Sequence, residues 1–181
     1  GAPVRTFRLP KNYRPPAEVF DLAARVIVTA QPDADLPEAV RSTGVDPVRT
    51  TTSQAQLDEE LLEQTRILLS QVDGTVGIVV PPAMVGHVEE TLHQLPETDA
   101  VHTARQDDRL LVVTTMQAKG LEYDAALVVD PEQIVAQSPG GVRVLYVALT
   151  RATQRLFVLG VADSNRQSVD TEPWQQALWQ G

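Results

Sequence analysis

The 181-residue chain has no cysteine, so it holds neither a disulfide framework nor a thiolate metal site, and it suits a reducing cytoplasmic environment. No apolar run approaches the ~20 residues that span a bilayer, and the start of the chain lacks a signal peptide's apolar core. A soluble, cytoplasmic protein with no membrane partner is therefore expected. Lysine is nearly absent: Lys11 and Lys119 are the only two, and neither stands in the GxxxxGK spacing, followed by Ser or Thr, of a phosphate-binding loop. There is no GxSxG nucleophile elbow, no HExxH zinc motif and no DxDxDG calcium loop. His87, His93 and His102 share no helical face and have no carboxylates at ligand spacing, which leaves them as surface or packing residues and predicts no metal site. The net charge of -9 excludes a generally basic face for phosphate backbones, although a local basic patch stays open.

With 43% hydrophobic residues arranged in alternating strand-like and helix-like segments, the chain is long enough for one domain with its own core, and 1–181 is read as a single domain. Residues 4–14 read as a short strand leading to a loop. Pro15 and Pro16 mark a helix start, and Ala17 to Ala30 carries Val19, Phe20, Ala23, Ala24, Val26 and Ile27 on an apolar face. Residues 31–46, proline-rich and acidic, read as an irregular connection. A β-rich run over 47–52 precedes Ser53, an N-cap with Gln56 three residues on, and a long helix through Leu68 that ends at Asp73-Gly74. Val76 to Val80 is continuous and apolar, as in a parallel strand buried on both faces. A helix over 83–94 follows Pro81-Pro82, and then come two apolar runs, Leu110 to Thr115 and Ala125 to Asp130, read as adjacent strands.

Between those runs lies the polar stretch Thr114 to Asp124, read as a loop that sets Lys119, Glu122 and Asp124 at a sheet edge, where ligands bind in open α/β folds. After a short helical piece and the break Ser138 to Gly141, Val142 to Ala152 reads as a buried helix, and Arg155 to Gly160 as the last strand. Residues 161–181 form a terminal extension whose Trp174 and Trp179 dock on the body. Two arginines are out of place. Arg14 stands at a helix N-terminus, where the macrodipole favours an anion, so it either points at a ligand phosphate or is simply solvated. Arg151 ends an apolar helix. It needs a carboxylate or phosphate, or else it satisfies carbonyls at the helix C-terminus.

Three segments, in order, resemble the second motor domain of the UvrD/Rep-type superfamily 1 helicases. Asn12-Tyr13-Arg14-Pro15 matches motif IV, Ala118-Lys119-Gly120-Leu121-Glu122-Tyr123-Asp124 is similar to motif V, and Leu145-Tyr146-Val147-Ala148-Leu149-Thr150-Arg151-Ala152 closely matches motif VI. Together they frame residues 12 to 159. The resemblance implies a RecA-like α/β fold of the P-loop NTPase kind, a mostly parallel sheet flanked by helices, without its own Walker A loop. It also implies ATP as the nucleotide, with Mg²⁺ held mainly by a first motor domain in the same parent chain. Under it, Tyr13 stacks on adenine, Arg14 and Arg151 reach the γ-phosphate, Glu122 approaches the ribose, and Gly120 lies close to the phosphates. Thr114 and Thr115 fall where the family touches nucleic acid. Lys119 would brace the turn or a nearby phosphate backbone.

The departures also carry information. Members that unwind DNA commonly have a histidine two residues after the motif V threonine, and here Met116 stands there. The inserted domain of those enzymes has no room between motifs IV and V. The compact form looks like the HelD and helicase IV branch, which implies DNA or RNA polymerase as partner. The chain opens Gly1-Ala2 without methionine and is expected to be part of something longer. Alone, it is expected not to hydrolyse ATP. Two other readings stand beside it: a non-catalytic motor-like module that binds a protein such as RNA polymerase, and an unrelated Rossmann-like enzyme, which the missing glycine fingerprint disfavours.

Overall fold

A computed structural model describes residues 15–38, 41–162 and 171–180. Branched aliphatic runs build its centre. Strands β1 (Val48–Ser53), β2 (Val76–Val79), β3 (Leu110–Val113), β4 (Tyr123–Val129) and β5 (Ala152–Ala162) form one five-stranded sheet in the order β1-β5-β4-β2-β3. Every neighbouring pair is parallel. Such a sheet must be covered on both faces, because its crossovers put helices on each.

The period of two along the strands sorts their side chains into two cores. Val76, Ile78, Ala125, Leu127, Val129, Phe157, Leu159 and Val161 join one core. It is covered by helices α2 (Leu57–Gln71), α3 (Val85–His93) and α4 (Ala100–Gln106). Val79, Ala126, Val128, Leu156 and Val158 join the other. Its cover is α1 (Ala17–Ala30), α6 (Pro131–Gln137), α7 (Val142–Leu149) and α8 (Pro173–Trp179). The described parts of 31–46 form neither helix nor strand.

The boundaries refine the sequence reading in physical terms. Helix α1 starts at Ala17 with Pro16 as its cap, where a missing N–H costs nothing. Leu22 completes its buried stripe, whereas Phe20 and Ala24 are only half-buried. Ser53 does cap, its Oγ accepting from the Gln56 N–H at 3.3 Å, but it opens a 3₁₀ turn, Gln54–Gln56, ahead of α2. A like turn, Pro82–Met84, precedes α3. Helix α4 was not anticipated: it buries only Val101 and Ala104. Its start is fixed by Asp99, which accepts from the Val101 N–H at 2.9 Å and pairs with Arg66 of α2 at 2.7 Å.

Several expectations are corrected. Strands β3 and β4 are not adjacent, because β2 lies between them. The stretch 114–124 is not all loop. It holds a helical turn, α5 (Thr115–Ala118), closed by a reciprocal capping box in which Thr114 Oγ1 accepts from the Gln117 N–H and Gln117 Oε1 accepts from the Thr114 N–H. Helix α7 also stops earlier than read, at Leu149, and β5 begins at Ala152.

The terminal helix docks through its tryptophans. Trp174 is buried, its indole N–H donating to Glu172 at 2.7 Å, and a Cβ added at Gly160 would lie 2.8 Å from the Trp179 ring. Only glycine at this point of β5 admits the ring. Among the described residues, no helix is long and apolar enough to cross a membrane.

Two polar clamps hold the layers together. Arg109, just before β3, donates from Nε to the Gly74 carbonyl at 2.8 Å and from Nη2 to the carbonyls of Leu69, at 2.8 Å, and Val72. It thereby satisfies the open C-terminus of α2. Arg109→Met, which keeps the stem but removes the donors, is expected to lower unfolding free energy by about 2 kcal/mol, read as a lower urea midpoint at unchanged m-value.

The second clamp is the Glu18 carboxylate in the first turn of α1. It accepts from the Ser42 hydroxyl, from the Thr43 N–H at 3.1 Å and hydroxyl at 3.3 Å, and from the Gly44 N–H at 3.0 Å. These bonds, the Ser42 one foremost, pull its pKa from 4.5 down to about 2. A depressed carboxyl stabilises the fold above its ordinary pKa and loses that contribution as pH falls through the lowered value. Wild type should therefore melt above Glu18→Gln at about pH 6, with the gap closing between 4.5 and about 2.

Candidate functional site

Because β4 and β5 run parallel with Tyr123 opposite Ala152, the residues just before each strand meet at the amino edge of the sheet. Those residues are Glu122 and Arg151. The backbone locks them in place: the Tyr123 N–H donates to the Arg151 carbonyl at 2.9 Å, and the Thr153 hydroxyl donates to the Tyr123 carbonyl at 3.3 Å. Ligands of open α/β sheets usually bind outside the carboxyl ends of the strands, and this pair stands at the opposite edge.

Arg151 is held mainly by carbonyls. Its Nε donates to the Val147 carbonyl at 2.9 Å, Nη1 to the Leu121 carbonyl at 3.2 Å and Nη2 to the Thr150 hydroxyl at 3.2 Å. Of the two readings left open for this residue, the C-terminal cation bonded to helix carbonyls is the one its contacts within the chain match. A guanidinium has five N–H donors, so two remain for a ligand. Burial lowers the pKa of Arg151, opposed by the field of Glu122 and then of Tyr146 and Tyr123, yet a guanidinium stays charged under all ordinary conditions. Burial likewise raises the pKa of Glu122 from its ordinary 4.5, with Arg151 opposing. A half-buried cation and carboxylate, near but not in direct contact, suit an anionic group and a hydroxyl of one ligand.

Several neighbours of Arg151 lie in the matched motifs without a role assigned to them from sequence. Tyr123 is buried, and its ring lies so close over β2 that a Cβ at Gly77 would fall 2.7 Å from it. Its hydroxyl has no hydrogen-bond partner among the described residues. Tyr146 and Thr150 sit on α7 and at its end, one turn apart, which is the spacing that could have flagged them. The Leu121 carbonyl is backbone and could not have been flagged.

The other predicted residues are distributed as follows. Gly120 has φ +82° with nothing near its missing Cβ, so conformation, not space, requires glycine there. Lys119 is exposed and makes no hydrogen bond or ion pair among the described residues. Asp124 packs on the backbone at Gly74, where a Cβ would lie 2.2 Å from its carboxylate. Thr114 and Thr115 belong to the other edge of the sheet, at the carboxyl end of β3. There Thr114 is engaged as a cap, Thr115 is buried, and Met116 is 75% exposed.

Tyr13 and Arg14 lie outside the described residues. The chain that follows them reaches the amino edge, since the Ala17 N–H donates to the Arg41 carbonyl at 2.6 Å and Arg41 donates to the carbonyl of Thr153 in β5. Among the described residues, no group of three or more His, Asp or Glu side chains is placed to hold a metal ion.

Residues 109–159 match the family of UvrD-like helicase C-terminal domains. The matched stretch takes in β3, β4 and most of β5, and with them Gly120, Glu122 and Arg151. Among solved structures, the chain is similar to the C-terminal domain of a possible DNA helicase from Lactobacillus plantarum WCFS1. Identity is 23%, the TM-score is 0.54, and the similarity covers 82% of this chain and 87% of that one. That likeness is one of fold. The parallel sheet between helical layers is an α/β architecture of the RecA-like kind. No curated protein matches the chain.

The raised carboxyl at this edge has a measurable consequence. An acid whose folded pKa lies above its unfolded value stabilises the fold below about 4.5 and loses that contribution as pH rises through the raised value. Glu122→Gln is therefore expected to melt above wild type at neutral pH and to lose that advantage at about pH 4, as followed by circular dichroism.

Proposed function

We propose that this domain is the second motor domain of an ATP-dependent superfamily 1 helicase or translocase, and that its amino edge is one half of an ATP site. The observation that carries this reading is the convergence of Glu122 and Arg151 before β4 and β5, within the stretch that matches the helicase family. Arg151 has two N–H donors to offer a γ-phosphate, Glu122 faces the ribose, and Gly120 allows close approach of the backbone. Tyr13 and Arg14 contribute adenine stacking and a second cation. The other half of the site, with a phosphate loop and the acid that holds Mg²⁺, belongs to a first motor domain. Mg²⁺, when bound there, neutralises charge on the phosphates.

The chemistry of this half is electrostatic. A guanidinium already held by three bonds and partly stripped of water pays little reorganisation when charge develops on the transferring phosphoryl group. Such an arginine is worth about 10³ to 10⁵ in rate. Within this reading, Met116 supports the HelD-like branch, whose members act on RNA polymerase. It is an exposed thioether at the carboxyl edge, where DNA-unwinding relatives carry a histidine. DNA is the partner under the helicase IV-like branch.

In the chain containing both motor domains, Arg151→Ala is expected to lower kcat for ATP hydrolysis by about 10³ or more, with a far smaller change in thermal stability. Residues 1–181 alone are expected to show no turnover. Wild-type hydrolysis by the variant, or hydrolysis by the pure isolated domain, overturns the assignment.

A further inference from the structure

The guanidinium of Arg151 is oriented by three acceptors, of which two are backbone carbonyls and one is a side chain. We infer that Thr150 is the positioning residue of Arg151, and that its hydroxyl sets the plane in which the guanidinium meets a phosphate. The inference rests on the reading of the amino edge as an ATP half-site.

Thr150 is 8% exposed and stands as the C-cap of α7. A hydroxyl has one proton to give and lone pairs to accept with. The Thr150 proton goes to the helix, where the carbonyls of Tyr146 and Val147 both lie 3.1 Å from Oγ1. That fixes the rotor, and the acceptor side of the oxygen is left facing Arg151 Nη2 at 3.2 Å. The Val147 carbonyl is thus shared: it accepts from Thr150 and, at 2.9 Å, from Arg151 Nε. Threonine and arginine are locked to one helix end by a common acceptor. The Leu121 carbonyl, 3.2 Å from Nη1, closes the third side.

With Nε and one N–H of each terminal nitrogen engaged, the guanidinium plane has no rotational freedom, and its remaining N–H groups point in fixed directions. Losing the Thr150 bond frees one edge of that plane. The cost then falls on the transition state, where geometry is demanding, more than on nucleotide binding.

The test uses the chain containing both motor domains. Thr150→Val keeps the shape and removes the hydroxyl. It is expected to lower kcat roughly ten- to a hundredfold while KM for ATP stays within about twofold, and Thr150→Ser is expected to restore kcat. In an Arg151→Ala background, adding Thr150→Val is expected to change kcat no further, because the threonine acts only through the arginine. If the valine variant melts below assay temperature, Thr150→Ala takes its place in the same comparison.

Wild-type kcat in a folded variant lacking the hydroxyl overturns the inference. So does an equal loss of kcat with and without Arg151, which marks a structural role, and so does failure of serine to restore activity. Full turnover by Arg151→Ala alone is a different result, because it removes the ATP-site reading itself.

Discussion

The parallel pairing of β4 with β5 is the interaction on which the rest depends. Both strands are buried on both faces over most of their length, and they carry residues of both cores. Their register decides which side chains stand at the amino edge. A slip of β4 by one residue would send Leu127 to the opposite layer and separate Glu122 from Arg151. Core packing and site geometry are therefore specified by the same hydrogen-bond ladder. Stability of the sheet is also precision at the site.

The site is made from what the ladder leaves over. At its last rung, the Tyr123 N–H reaches the Arg151 carbonyl. Beyond that, the chain turns away on both strands, and the two side chains are partly drawn out of water by their neighbours. Desolvation acts on them in the same sense, disfavouring the charged form of each; their mutual field opposes it, joined at Arg151 by Tyr146 and Tyr123. An anionic ligand would relieve the arginine. The acid gains most from a hydroxyl donor, which is the complement a nucleotide presents.

Much of the architecture was legible because burial on both faces leaves an unbroken apolar run. Val76 to Val80 and Ala125 to Val129 announced themselves in this way. Neighbour relations did not, since periodicity says that a segment is a strand and nothing about which strand lies beside it. That is why Leu110 to Val113 was set next to the wrong partner. Helix α4 escaped because its start depends on Asp99 meeting Arg66, a contact between residues far apart in sequence. At the amino edge, Glu122 and Arg151 were singled out through motif order. Thr150 was passed over as one letter of a motif, because its hydroxyl acts only in combination with carbonyls of its own helix. The position of Arg151 in the sequence raised both a ligand and a helix end as its partners, and the folded chain shows it bonded to the helix end while two donors remain.

The path from β3 to β4 has one more consequence. It leaves the carboxyl edge at the Thr114–Gln117 box, recrosses the whole sheet, and arrives at the amino edge as the Leu121 carbonyl on Arg151. The segment is thus a tie-rod with a fastened end on each side of the domain. Its one joint is Gly120, in a left-handed conformation that other residues resist. The two edges of the sheet are thereby joined by a single short stretch of chain.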